Sequence, residues 1–373
     1  MKNAIKQLRH DLHRHPNLSG DEEETALRLL DFFTTQSPDK TVIGLGGHGL
    51  AFVYEGAEPG PTVMLRADLD ALPIVEAEGS PYRSENDGVA HVCGHDGHMA
   101  ILVEVGRRLA KRRPARGRAV LLFQPAEETG AGAAAVLADP AFEDLRPDLC
   151  FALHNLPGHP HGSIVVREGV FASASRGMTV IFKGRTAHAA QPETGRSPAL
   201  AMSRFIERMS DLPEGIAPEG ETALATVVGG KLGEKAFGTA PGRAEVWVTL
   251  RSETDRTMDD LVGFAAEAAT REAVRAGLHV EVTFDDVFTA TINAPEAVAT
   301  VRRAGGDAVI ELDAPLSWSE DFGRFTAQCP GALFGLGAGE DVSPLHDPAY
   351  DFPDALIDRG ADVFSAILHE TLD

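Results

Sequence analysis

The sequence is short of cysteine, of positive charge and of long apolar runs, and each shortage excludes something. Three cysteines in 373 residues (Cys93, Cys150, Cys329) are too few and too scattered for a disulfide framework. Cys150 and Cys329 read as buried packing residues. Lys and Arg total 34 against 56 Asp and Glu, a formal net charge of −22. That sign argues against nucleic acid or an anionic membrane as a partner. No window approaches ~20 uninterrupted apolar residues, so no membrane-spanning helix is expected. The run Met1-Lys2-Asn3-Ala4-Ile5 enters an amphipathic pattern directly, without an apolar leader or cleavage signal, which predicts a cytoplasmic protein. Internal repeats and low-complexity tails are also missing. What remains is ordinary for a soluble globular chain, with 43% hydrophobic and 24% charged residues and length enough for two domains.

Strand and helix patterns alternate through the first half. A helix from Ile5 is broken at His15-Pro16 and restarts near Ser19, where Ser19 or Asp21 can cap the following run. Gly44-Leu45-Gly46-Gly47-His48-Gly49 looks superficially like a nucleotide loop, but it precedes a strand and reads as a tight hairpin. Thr62–Arg66, Arg118–Gln124 and Leu149–Leu153 are apolar strands, with a helix over His98–Arg112, which predicts a layered α/β domain. From about Ser173 two strand–helix–strand units suggest an inserted α+β, ferredoxin-like domain. The expected organisation is a catalytic domain of residues 1–172 and 288–373, interrupted by a second domain at 173–287.

Chemistry concentrates just past strand ends, where open α/β sheets place their sites. Cys93-Gly94-His95-Asp96-Gly97-His98, Gln124-Pro125-Ala126-Glu127-Glu128, Leu153-His154-Asn155 and Leu345-His346-Asp347 offer thiolate, imidazole and carboxylate groups. These side chains bind zinc-like ions, and imidazole with carboxylate also suits manganese. The paired glutamates could hold metal with one carboxylate and move a proton with the other. A Cys–His nucleophile pair is the competing chemistry, but it leaves both glutamates and two remote histidines unexplained.

The sequence resembles the aminoacylase-type metallopeptidase superfamily, and within it the amidohydrolase branch of hippurate hydrolases and indole-acetyl-amino-acid hydrolases. The resemblance rests on Leu12-His13-Arg14-His15-Pro16, Leu65-Arg66-Ala67-Asp68-Leu69-Asp70, His91-Val92-Cys93-Gly94-His95-Asp96-Gly97-His98 and Gln124-Pro125-Ala126-Glu127-Glu128. Ala187-His188-Ala189-Ala190, Ser319-Glu320-Asp321-Phe322 and Leu345-His346-Asp347-Pro348 continue it. It implies that Cys93, His95, Glu128, His154 and His346 bind two divalent ions (Zn, Mn, Ni or Co) and that Glu127 is the general base. It implies an inserted lid and dimerisation domain, hence a homodimer, with His188 reaching an active site of its own or the partner subunit to stabilise an oxyanion. The activity implied is hydrolysis of the amide of N-acyl amino acids. A dipeptidase on the same machinery and a silent ligand-binding homologue are the alternatives.

Asp70 is expected to orient a ligand histidine. Asp68 stands where dizinc relatives carry a histidine, and is read as structural more readily than as a ligand. Asp96 is expected to cap the next helix and His98 to pack. Arg251 could hold a substrate carboxylate or form a surface salt bridge. Three positions depart from the family pattern: Gly238 replaces a lid asparagine, Ser197 an acidic residue before Pro198, and Asn17 a glutamate after Pro16.

Overall fold

Continuous apolar runs pair into a sheet whose central strands are buried along most of their length, as strands covered on both faces must be. The computed structural model describes residues 2–212 and 215–373. Its first unit comprises residues up to Phe171, Thr291–Pro315 and Glu320–Asp373, and its second Ala172–Ala290 with Leu316–Ser319. The excursion at 316–319 has no counterpart in the expected boundaries at 173 and 287.

In the first unit, α1 (Lys2–Arg14) and α2 (Glu23–Phe33) precede β1 (Lys40–Leu45), β2 (Gly49–Glu55) and β3 (Glu58–Asp68). Then come α3 (His95–Leu109), β4 (Arg116–Gln124), α4 (Gly132–Ala138), β5 (Leu149–Pro157), β6 (Ile164–Val166) and β7 (Gly169–Ala172). The second unit holds β8 (Ala174–Lys183), β9 (Ala187–His188), α5 (Ala199–Ser210), β10 (Ala223–Leu232), β11 (Thr239–Ala240), β12 (Arg243–Ser252), α6 (Asp255–Ala276) and β13 (His279–Phe288). The chain returns through β14 (Thr291–Asn293), α7 (Pro295–Gly305), β15 (Val309–Glu311), α8 (Gly323–Thr326), β16 (Gly331–Gly339) and α9 (Leu356–Leu372).

The first unit's eight-stranded sheet has the order β1-β2-β4-β3-β5-β16-β6-β15, and neighbours among β4, β3, β5 and β16 run parallel. The glycine cluster makes the β1–β2 hairpin, with Leu45 opposite Gly49. α3 lies between α1 and α9 against this sheet, and Phe33, Phe52 and Phe123 pack ring on ring beside it. In the second unit an antiparallel sheet, β10-β12-β8-β13, carries α5 and α6. Thr254 caps α6 by accepting from the Thr257 amide at 3.2 Å, and Gly277 ends it in the left-handed region.

Two capping expectations are corrected. Neither Ser19 nor Asp21 caps α2. Ser19 Oγ is drawn away to donate to Asp70 at 2.7 Å, and Asn17 Oδ1 instead accepts from the Thr25 amide at 3.0 Å and its hydroxyl at 2.7 Å. Asp96 does not cap α3, whose first residue follows the left-handed Gly94. It lies inside the first turn, fully buried, and accepts from Arg9 and His13 at 2.9 Å each. Asp96 therefore ties α1 to α3 beside the Cys93–His95 turn.

That tie titrates. Burial alone would lower the His13 pKa, but the Asp96 carboxylate and hydrogen bonds to Asp96 and Glu76 outweigh it and raise it from 6.5 to about 9. A folded-state pKa above the unfolded one means the stabilisation is complete below about pH 6.5 and is lost as pH rises through about 9. The shift corresponds to roughly 3 kcal/mol. The thermal midpoint should fall between pH 7 and 10, and His13→Gln should flatten that fall. An unchanged slope in the variant would remove His13 as the cause.

Candidate metal centre and active site

The site is assembled where β3, β4 and β5 end. Past β3, Leu69 donates to the Gln124 carbonyl at 2.9 Å, which locks this exit to the end of β4. Asp70 is fully buried and accepts from Ser19 Oγ and from the Glu128 amide, at 2.7 and 2.9 Å. The turn into α3 needs glycine at 94: φ is +93°, and an added Cβ would lie 2.5 Å from Asn155 Oδ1. This turn places Cys93 and His95 side by side.

Hydrogen bonds decide which nitrogen each histidine presents. His95 Nδ1 donates to the Asp70 carbonyl at 2.9 Å, and His154 Nδ1 to the Asn155 carbonyl at 3.0 Å. Each ring thereby turns Nε2 toward the cluster as an acceptor. His95 Nε2 lies 3.7 Å from Asp68, 3.8 Å from Glu128 and 3.9 Å from Glu127. His154 Nε2 is 3.5 Å from Cys93 Sγ, and half-exposed His346 places Nε2 3.8 Å from Glu128.

These separations fit an ion between the groups. Ligand atoms about 2.0–2.3 Å from a tetrahedral ion stand roughly 3.3–3.8 Å from one another. Cys93, His95 and His154 form one compact set, and Cys93, Glu128 and His346 another, so the thiol is common to both. Among the described residues, His95 Nε2 and Glu128 Oε1 are buried without a hydrogen-bond partner. A buried acceptor without a donor is costly unless a cation takes the donor's place.

The electrostatics agree. Burial, then the Glu128 charge, push the Cys93 thiol well up. Burial, reinforced by Asp70 and opposed by His95, raises Glu128 to about 7. Burial with Glu320, Glu128 and Asp321 holds Glu127 well above the usual carboxylate range. Without metal, the site keeps protons that an ion would displace.

Asp68 has both oxygens engaged, Oδ1 with His98 at 2.7 Å and Oδ2 with Arg66 at 2.6 Å. His98 does more than pack, since it links Asp68 to Asn155. Asn155 in turn donates to the Cys93 carbonyl at 3.1 Å and bonds Tyr350 at 2.6 Å. Arg66, fully buried, also pairs with Glu320 at 2.9 Å and Asp321 at 2.7 Å. Sequence reasoning gave no role to Arg66, Asn155, Glu320 or Asp321, although all four lie within or beside the motifs that attracted notice.

His188 and Arg251 belong to the second unit. His188 is exposed on β9 opposite Thr239 of β11, and its Nδ1 accepts from the Ala190 amide at 3.1 Å, which leaves Nε2 as the protonated donor. Gly238 adjoins this ribbon, with its carbonyl 2.9 Å from the Ala189 amide and open space where a side chain would begin. Arg251 forms no surface salt bridge with the described residues. Its Nη1 donates to the Ser317 carbonyl at 3.1 Å and to Ser319 Oγ at 3.3 Å, and burial lowers its pKa.

Comparisons with known proteins agree with this fold. The profile of peptidase family M20/M25/M40 matches residues 64–370. N-acetyldiaminopimelate deacetylase of Exiguobacterium sibiricum is 30% identical over 356 residues, 93% of this chain and 94% of the relative. The YXEP protein of Bacillus subtilis, a dinuclear metal-binding peptidase of the M20 family, superposes with a TM-score of 0.82 at 24% identity, covering 100% of this chain and 98% of that one. The aminobenzoyl-glutamate utilization protein of Klebsiella pneumoniae gives 0.76 at 20% identity, covering 99% and 95%.

Because Glu128 is raised to about 7, protons should compete with metal below that pH. Calorimetric titration of metal-free protein with Zn²⁺ or Mn²⁺ should show proton release and an affinity that weakens as pH falls from 7.5 to 6. An affinity indifferent to pH over that range would contradict this account of the site.

Proposed function

Because the chain belongs to peptidase family M20/M25/M40, we propose that it is a metal-dependent amidohydrolase that cleaves N-acyl amino acids into a carboxylic acid and a free amino acid. One observation carries the assignment: two buried ligand atoms without partners, His95 Nε2 and Glu128 Oε1, face each other beside the Glu127 carboxyl group. The names of relatives, N-acetyldiaminopimelate deacetylase and aminobenzoyl-glutamate utilization protein, support this substrate class.

In this reading Cys93, His95, Glu128, His154 and His346 hold two divalent ions, whose Lewis acidity activates water and polarises the acyl carbonyl when they are bound. Asp70 keeps the His95 ring oriented through its carbonyl, 2.9 Å from Nδ1. Glu127 removes a proton as the water oxygen attacks the acyl carbon, and returns it to the nitrogen as the C–N bond breaks. Its raised proton affinity suits that shuttle. His188 Nε2–H donates to the carbonyl oxygen as negative charge develops there. Arg251, with no carboxylate partner among the described residues, pairs with the carboxylate of the amino acid product.

The second unit serves as lid and dimerisation domain. Its sheet ends in β10, an edge strand that exposes Leu224, Val228 and Leu232, and a homodimer formed there would cover this edge. No helix among the described residues is long and apolar enough to cross a membrane. In this reading the protein is cytoplasmic and has no nucleic-acid or membrane partner, and the net charge of −22 supports the latter.

The direct test is release of amino acid from a panel of N-acetyl, N-benzoyl and longer N-acyl amino acids beside dipeptides, using protein stripped and reloaded with Zn, Mn, Co or Ni. Glu127→Gln should lower kcat by ~10²–10⁴ with metal content retained. His188→Ala should cost ~10²–10³ with metal content unchanged. Cleavage of dipeptides alone would move the assignment to a peptidase, and binding of metal without turnover of any substrate would remove it.

A further inference from the structure

The motif Ser319-Glu320-Asp321-Phe322 has no part in the mechanism above, yet Asp321 sits at the closure of the loop that carries Glu127 and Glu128. That loop leaves β4 at Gln124 and enters α4 at Gly132. Its ends approach so closely that a Cβ on Gly132 would lie 1.6 Å from the Pro125 carbonyl oxygen. The Gly132 amide donates back to the Ala126 carbonyl at 3.0 Å, and the Gly130 amide to the Glu127 carbonyl at 2.8 Å. Within it Ala126 takes φ of +50°, a left-handed conformation that a non-glycine residue keeps only when its surroundings enforce it.

Asp321 ties the loop at both ends. Its Oδ1 accepts from Arg66 Nη2 at 2.7 Å and from Gln124 Nε2 at 3.0 Å. Its Oδ2 accepts from Gln124 Nε2 at 2.9 Å and from the Ala133 amide at 2.8 Å. Arg66 completes the circuit by donating from Nε to Gln124 Oε1 at 2.9 Å. One carboxylate thus fixes the last residue of β4, the first turn of α4 and the guanidinium beneath them. Asp321, Gln124, Arg66 and Ala133 are all buried. The Ala126 amide donates to Glu22 and the Glu128 amide to Asp70, at 2.8 and 2.9 Å. These hold the middle of the loop, and beside the Gly132–Ala126 backbone bond Asp321 is, among the described residues, the side chain that bonds both the last residue of β4 and the first turn of α4.

We propose that Asp321 is a positioning residue that clamps the 125–132 loop shut and so sets where the Glu127 and Glu128 carboxylates stand. Its catalytic consequence rests on the roles given above to those two glutamates. The clamp itself does not, because it is a statement about the backbone. An asparagine offers one acceptor oxygen for a place that needs two, so Asp321→Asn must release either the arm to Arg66 or the arm to Ala133.

The test compares wild type with Asp321→Asn and with Gln124→Met, which removes one arm from the other side. Asn293→Ala, which cuts buried bonds to β16 away from the loop, is the control for general destabilisation. Amide hydrogen exchange is the first readout. The amides of Glu128, Gly130, Gly132 and Ala133 should exchange at least tenfold faster in both clamp variants, with β3 and β5 protected as in wild type, whereas Asn293→Ala should spare the loop. The second readout is metal affinity, which should weaken about tenfold, and the third is kcat, which should fall tenfold or more with KM within twofold.

Unchanged loop protection, or acceleration spread evenly over β3, β5 and the loop, would overturn the clamp. If Asp321→Asn does not fold, Gln124→Met carries the same test. If wild type turns over no substrate, the functional reading fails, while exchange and metal affinity still decide whether Asp321 holds the loop.

Discussion

The first unit is organised around a surplus of buried negative charge. Asp68, Asp70, Glu127, Glu320 and Asp321 lie in the interior with the Cys93 thiol, and Glu128 is only partly open to solvent. Against them stand the buried Arg66 guanidinium and, where protonated, the His95 and His98 rings. Burying a charge costs several kcal/mol unless it is paired, and these cations do not balance this set. The remainder must be carried as protons or as metal. The upward shifts at Cys93, Glu127 and Glu128 favour protons there, and the spacing of the candidate groups fits an ion in their place. Arg66 pairs with Asp68, Glu320 and Asp321 at the lower half of the cluster. Asp68 is held on both sides, with Oδ2 on Arg66 and Oδ1 on His98.

The parallel strands explain how such a cluster can be built at all. β3, β4 and β5 run in one direction side by side, so their ends bring Asp68, Gln124 and the His154 region to one edge of the sheet. Backbone groups then do the fine placement. A carbonyl orients each of His95 and His154, the Asp70 carboxylate fixes the Glu128 amide, and the Val92 carbonyl accepts from the His346 amide at 2.9 Å. The second unit uses the same economy at His188, where a single backbone amide on Nδ1 makes Nε2 the donor.

Much of this was legible in the sequence, and the boundary of legibility has a physical cause. Apolar runs bounded by glycine and proline mark buried parallel strands, and alternation marks the two-faced sheet of the second unit, so the layered fold could be read directly. Residue type and order named Cys93, His95, Glu127, Glu128, His154 and His346, because thiol, imidazole and paired carboxylate have few other reasons to recur at strand ends. Asp96 and Ser19 were misread because capping is a local inference, and both are claimed by partners far along the chain, Arg9 and His13 for one and Asp70 for the other. Arg66, Glu320 and Asp321 were passed over for a related reason. An arginine inside an apolar strand looks like an irregularity until a turn some 250 residues later brings two carboxylates to it.

Strain in the backbone gives independent support to the same centre. Few non-glycine residues in the described structure have positive φ, and two of them are Ala126 and His346. Each such conformation costs on the order of 1 kcal/mol, so it persists only where other contacts impose it. At Ala126 those contacts are the Glu22 carboxylate and the Gly132 amide; at His346, the Val92 carbonyl. What the strain achieves is direction. It turns the chain sharply just before adjacent glutamates, so that one can face the ligand set while the other stays beside the buried acids, and it brings a loop histidine back over Glu128. Relaxed loops would spare that cost, but the carboxylates and the imidazole would no longer converge. Strain placed beside Glu127, Glu128 and the His346 ring gives up backbone stability for the convergence of these side chains.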